Sequence, residues 1–260
     1  MDVERWASEH GLTLTPENRP AVRRHLHRGR ACRTWGAVAG VLLPSLIDLA
    51  FHGRVTVLGF GTDGQSAPLA FGAIFVGYLA GALYAEVSLI RPAGRRASIV
   101  RRELEDYLPH RVIVAQRAAA VAGALGALAA GIAPYDASIS VPSALALAVT
   151  AAFVLAFAGG LEAIERWLVR RPQPFTSPSE IAADDAIRAQ SIRDVAGAGL
   201  ALLLLFCGGM ALMLQASDVA LARWAMIVPA AVCVIGSLLV FRGIGDTGWR
   251  VRRSGRAAFP

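Results

Sequence analysis

Apolar residues in this chain come in blocks near 20 residues long, the length a helix needs to cross a bilayer at about 1.5 Å per residue. Core helices of soluble proteins keep a polar stripe; the run ALALAVTAAFVLAFAGGL (144–161) has none. The spacing predicts six membrane helices, at about 35–51, 67–90, 113–133, 142–164, 195–215 and 224–241. Composition agrees, with 55% of residues hydrophobic and only 17% charged. The expected fold is all-α, a polytopic membrane helix bundle of six transmembrane helices.

Arginines set the expected orientation. The tail 1–34 holds seven, the connection 91–112 six, the connection 165–193 five and the tail 242–260 five, with Arg117 just inside the third span. The three remaining connections hold only Arg54 and Arg223. By the positive-inside rule this alternation places both termini in the cytoplasm of a multi-pass cell (inner) membrane protein. Every basic residue other than histidine is arginine, and Asn18 is the only asparagine. That usage fits a GC-rich genome and so a bacterial source. The 34 mostly polar residues ahead of the first block are too long a lead for a cleavable signal peptide.

Residues 1–34 are expected to form a basic cytoplasmic helical hairpin. Its first turns, VERWASEH, end at Gly11, and Thr15-Pro16 offers an N-cap and a first-turn proline. The arginine-rich helix that follows, with Arg28-Gly29-Arg30, is read as an anchor to anionic inner-leaflet lipids, with nucleic acid the disfavoured partner. In RRASIVRRELEDYLPH, Val100, Leu104 and Leu108 share a face, while Arg101–Glu105 and Arg102–Asp106 stand at i,i+4 on the other. This predicts an interfacial helix, with a docking surface for a cytoplasmic partner as the alternative. Ser177-Pro178-Ser179-Glu180 is a capping box that should start a helix running into the fifth span. Residues 242–260 form an arginine-rich cytoplasmic tail.

The inner ends of the second and fourth spans look alike. Gly81, Glu86 and Arg91-Pro92 match Gly160, Glu165 and Arg171-Pro172, which raises the possibility of repeated two-helix units. Small residues at Gly77-x-x-x-Gly81, and at Ala119, Gly123, Ala127 and Gly131, predict close helix packing.

An ionisable group in a span costs roughly 2.5–3.5 kcal/mol, so each one is a candidate site. Glu86, Arg117, Glu162, Glu165 and Asp194 gather near the inner boundary, where a glutamate could pair with Arg117. Together they make either an ion or proton site or an interhelical clamp, and the clamp is the preferred reading. Asp48, with His52 one turn later, sits toward the outer end of the first span and is either a proton relay or, the preferred reading, the polar end of a short helix.

Three cysteines give no disulfide framework. No zinc spacing, Walker motif or nucleophile elbow occurs, so no enzyme, metal or cofactor is expected. The glycine pattern in RVTVLGFGTDGQ (54–65) resembles a dinucleotide turn, but it precedes an apolar span on the arginine-poor side.

The stretch WASEHGLTLTPENRPAVRRHLHRGRACRTWGA (6–37), with RRELEDYLPHR (101–111), resembles uncharacterised six-span integral membrane proteins of high-GC bacteria. Genes of that kind often neighbour transcription regulators or ABC-transporter components. The resemblance implies a non-catalytic membrane component associated with a transport system or a cytoplasmic partner. The alternative is a small ion- or proton-coupled transporter or permease.

Overall fold

The computed structural model describes residues 3–52, 67–88, 102–134, 143–171, 177–215 and 226–246. Seven α-helices lie within the described residues: α1 (Val3–Glu9), α2 (Arg19–His52), α3 (Ala67–Ser88), α4 (His110–Ile132), α5 (Ala144–Arg170), α6 (Pro178–Gln215) and α7 (Ile227–Asp246). Among them α4, α5 and the Pro178–Leu214 stretch of α6 are each long and apolar enough to cross a membrane. Shorter apolar stretches are Ala73–Ser88 in α3 and Ile227–Leu239 in α7. The motif RVTVLGFGTDGQ, Arg91-Pro92 and the tail beyond Asp246 lie outside the described residues.

Helix α6 is the hub of the bundle, packing against α3, α4, α5 and α7. Consecutive helices also pair, α2 with α3, α4 with α5 and α6 with α7. The largest core cluster lies at the arginine-rich end and joins Leu79 of α3, Ile113 of α4, Leu161 and Leu168 of α5, and Ile192 and Val195 of α6. Apolar side chains left exposed, such as Leu42 and Leu46 on α2, Phe153 on α5 and Val232 on α7, face outward, as they would toward lipid.

The α2–α3 pair is held by glycine. A Cβ built on Gly36 would strike the Gly77 carbonyl, and one on Gly77 would strike the Gly36 carbonyl. Gly40 meets the Ala73 carbonyl in the same way, and Gly81 meets that of Cys32. Residue numbers rise along one helix as they fall along the other, so the helices run antiparallel. Two small-residue stripes, 32/36/40 and 73/77/81, therefore bring the backbones closer than any Cβ allows. The second stripe contains the expected Gly77-x-x-x-Gly81; its partner Gly36-x-x-x-Gly40 stands in WGAVAG. In α4 the expected small face is also packed, with Ala119 and Ala127 buried and Gly123 against the Phe206 ring.

Two boundaries differ from expectation. The expected boundary between residues 34 and 35 carries no break, because α2 is one helix from Arg19 to His52. The reason is an uninterrupted inward stripe: Asn18, Val22, His25 and Gly29 are buried, and Arg33, Gly36 and Gly40 continue it at three- and four-residue steps. Residues 104–106 form a 3-10 turn, not part of an interfacial helix. Leu104, Tyr107 and Leu108 are buried in the core, and Arg102 pairs with Asp185 of α6 (3.3 Å). Leu104 and Leu108, two of the three residues of the expected lipid-facing side, are covered by protein, while Val100 and Arg101 lie outside the described residues.

The N-terminal hairpin docks on the first half of α6. Trp6, Ala7, Leu12 and Val22 pack against Ala183, Ala186 and Ile187. Its turn is closed by a reciprocal pair: Thr15 N–H donates to Asn18 Oδ1 (2.9 Å) and Asn18 N–H to Thr15 Oγ1 (3.3 Å). Thr15 thus caps as expected, although α2 proper begins at Arg19. Asn18 also donates from Nδ2 to the Thr13 and Ser179 carbonyls (3.0 and 3.4 Å), tying the turn to α6. The Ser177 box forms as read: Ser177 N–H donates to Glu180 (3.2 Å) and Glu180 N–H to Ser177 Oγ (3.4 Å).

Candidate functional site

Most of the expected charges meet at the arginine-rich end of the bundle, but with different partners. Glu86, at the end of α3, is buried (4% exposed) and accepts from Ser191 Oγ (2.5 Å) and Arg171 Nη1 (3.0 Å). Arg171, just past α5, also pairs with Asp184 of α6 (3.3 Å). Arg188 is 1% exposed and donates to the Val169 and Arg171 carbonyls (2.7 and 2.9 Å) as well as to Asp184 (3.0 Å). It thereby satisfies backbone acceptors that the end of α5 leaves open and places a positive charge at the negative end of that helix's dipole. Arg33 of α2 pairs with Asp194 of α6, which also accepts from Gln190 (2.8 Å). Glu86, Arg171, Asp184 and Arg188 thus join α3, the end of α5 and α6, while Arg33 and Asp194 separately join α2 to α6.

Glu162 and Glu165 lead separate lives. Glu162 pairs with Arg117 across α4 and α5 and with Arg166 on its own helix (2.5 Å), on a largely exposed face. The expected Arg117–glutamate pair is therefore present, with Glu162 as its partner. Glu165 is 0% exposed. Its Oε1 accepts from Gln116 Nε2 (2.8 Å), which also reaches the Ala196 carbonyl (3.4 Å), while Oε2 has no partner among the described residues. Asp48 and His52 fall in the last turns of α2, and their side chains lie outside the described residues.

Sequence reasoning missed His25, Arg33, Gln116, Asp184, Arg188 and Ser191 as members of this end. For His25 a signal existed: it stands on the buried stripe of α2, between Val22 and Gly29. His25 Nδ1 lies 4.0 Å from Glu86 Oε1, beside a cleft with room for about one water, about 10 Å³. Burial, reinforced by Arg33 and Arg171, pushes the His25 pKa down to about 4, with Asp184 opposing. The imidazole is neutral in the fold, whereas in the unfolded chain it takes up a proton below about pH 6.5. Between those values the unfolded state binds more protons, so acidification costs up to about 1.4 kcal/mol per pH unit. Thermal midpoints in detergent are expected to fall from pH 7 to pH 5, and His25→Gln should flatten that slope. An equal slope in the variant would assign the loss to other groups.

No group of three or more metal-type ligands stands together among the described residues. An all-helical chain with three long apolar helices fits an integral membrane protein. No family model, curated protein or solved structure matches the chain.

Proposed function

We propose that the chain is a non-catalytic, six-span component of a bacterial cell membrane, with both termini cytoplasmic, that works with a transport system or another cytoplasmic partner. The observation that carries this reading is the charge network: Glu86, Arg171, Asp184, Arg188, Arg33 and Asp194 are spent on one another. Among them Arg33–Asp194 ties α2 to α6, beside the apolar seat of the N-terminal hairpin on α6. The adjoining cleft has room for about a water molecule, about 10 Å³, and not for a substrate. Trp35 at the middle of α2, and Tyr84 and Trp167 near the C-terminal ends of α3 and α5, are exposed, as in the aromatic belt of a membrane boundary. Anionic inner-leaflet lipids are the expected surroundings of that boundary. The pairing of consecutive helices suits an origin in two-helix units.

The second reading, a small proton- or ion-coupled transporter, is favoured by one observation, the buried Glu165 oxygen without a partner. Reconstituted protein is expected to show no proton- or ion-driven uptake. Uptake lost in Glu165→Gln, Glu86→Gln or Asp48→Asn would overturn the first reading in favour of the second. Reporter fusions are expected to place residue 138 outside and residues 97 and 174 inside; any other pattern overturns the six-span topology.

A further inference from the structure

Arg33, Arg171 and Arg188 are each paired with a carboxylate. Arg23, Arg24, Arg28 and Arg30 have no acidic partner among the described residues, and all four are exposed on the outer face of α2, with His27 between them. Only Arg24 makes a local bond, from Nε to the Pro20 carbonyl (3.3 Å). We infer that this face docks an acidic segment of a partner protein. The inference deepens the partner reading above and rests on it.

Three observations favour an acidic protein over lipid headgroups. The first is height. Trp35 is exposed where the outward apolar face of α2 begins, continuing at Val38 and Leu42. At 1.5 Å per residue, Arg28 then stands about 10 Å and Arg24 about 16 Å above Trp35. A headgroup layer is only about 5–7 Å deep. The second is direction. Helical Cα–Cβ bonds tilt toward the helix N-terminus, which for α2 is away from the apolar stretch, and Arg24 follows that tilt, with Nε on the Pro20 carbonyl one turn earlier (3.3 Å). The third is roll. Val22, His25 and Gly29 fix the opposite face of α2 inside the protein, so the helix cannot turn its arginines down onto a bilayer. Four unpaired cations within eight residues leave a positive strip that a run of carboxylates would neutralise.

The test is photo-crosslinking of the full chain in native membranes, with p-benzoylphenylalanine at position 27 and, for comparison, at position 38. Position 27 is expected to give a discrete, protease-sensitive adduct whose crosslinked peptide is net negative, while position 38 gives lipid adducts. The adduct at 27 should fall about tenfold in Arg23→Gln/Arg24→Gln/Arg28→Gln, as three exposed ion pairs would predict, and survive the corresponding lysine triple. Because these side chains are exposed and unpaired, the glutamine triple should keep the parent's thermal midpoint, which guards against a folding artefact. Only lipid adducts at 27, nuclease-sensitive adducts, a peptide without net negative charge, or no adduct at all would each overturn the inference. Uptake assays decide the broader reading separately: a transporter that still crosslinks an acidic peptide at 27 keeps the docking face.

Discussion

Gly77→Leu is expected to leave little folded protein in detergent, and Gly36→Leu the same. At both positions the obstacle to a Cβ is the backbone carbonyl of the facing helix, which cannot swing aside as a side chain tip would. Overpacking ordinarily costs about 1–3 kcal/mol. Here the two helices must separate along the whole stripe, and the cost is expected to exceed that range. Even alanine should be harmful at Gly36, Gly40, Gly77 and Gly81. The contrast lies at Gly159 and Gly160, where nothing stands within 4 Å of a new Cβ. Alanine there should be neutral, or stabilising by up to about 1 kcal/mol through helix propensity. Size-exclusion profiles and thermal midpoints of the six alanine variants check this, and equal losses at Gly77 and Gly160 would refute the close approach. The same contrast separates the two ends that the sequence aligned: Gly81 is a packing contact, and its match Gly160 is not.

Glu86→Leu is expected to be the most damaging single change among the charges. It leaves the largely buried Arg171 with a share of Asp184 only, and leaves Ser191 with the Ile187 carbonyl (3.0 Å) as its remaining acceptor. Removing one partner of a buried ion pair typically costs about 3–5 kcal/mol, much of it the stranded opposite charge. Glu86→Gln keeps an acceptor for Ser191 and should cost less. In a double-mutant cycle, Arg171→Met added to Glu86→Leu should recover part of the loss, since it removes the stranded cation. Additive losses in the cycle would mean that the two groups are not coupled. By comparison Arg117→Gln should leave the thermal midpoint little changed, because its pair with Glu162 is largely exposed.

Local chemistry was legible in the sequence wherever partners are close along the chain. The Ser177 box needs only Glu180 three residues on, and Thr15 closes its turn with Asn18. The apolar blocks marked α4, α5 and the second half of α6 without ambiguity. What escaped was set by distance and by overlap. Glu86 finds its cation 85 residues later, and Arg33 its carboxylate 161 residues later; spacing cannot nominate such pairs. Arg117 was the obvious cation for a buried glutamate only because it is the one arginine just inside a predicted span. For α2, a sharp fall in polarity near residue 34 hid a helix whose inward stripe crosses it unbroken, and whose polar half faces protein at His25 and Arg33. Leu104 and Leu108 show the converse error: an amphipathic spacing tells which side is apolar, but not whether lipid or protein covers it.

The seam between the N-terminal hairpin and α6 imposes a schedule on biosynthesis. Asn18 bonds the Ser179 carbonyl, Glu17 accepts from Ser179, and Arg33 meets Asp194, each about 160 residues downstream. At synthesis rates of about 5–20 residues per second, the first-made segment waits about 8–30 s for the surface that completes it. During that interval His25 and Arg33 have only water and early helices for company. A chain that stalls before residue 177 has no seat for its own beginning, so closure of the cap marks a chain whose α6 has arrived.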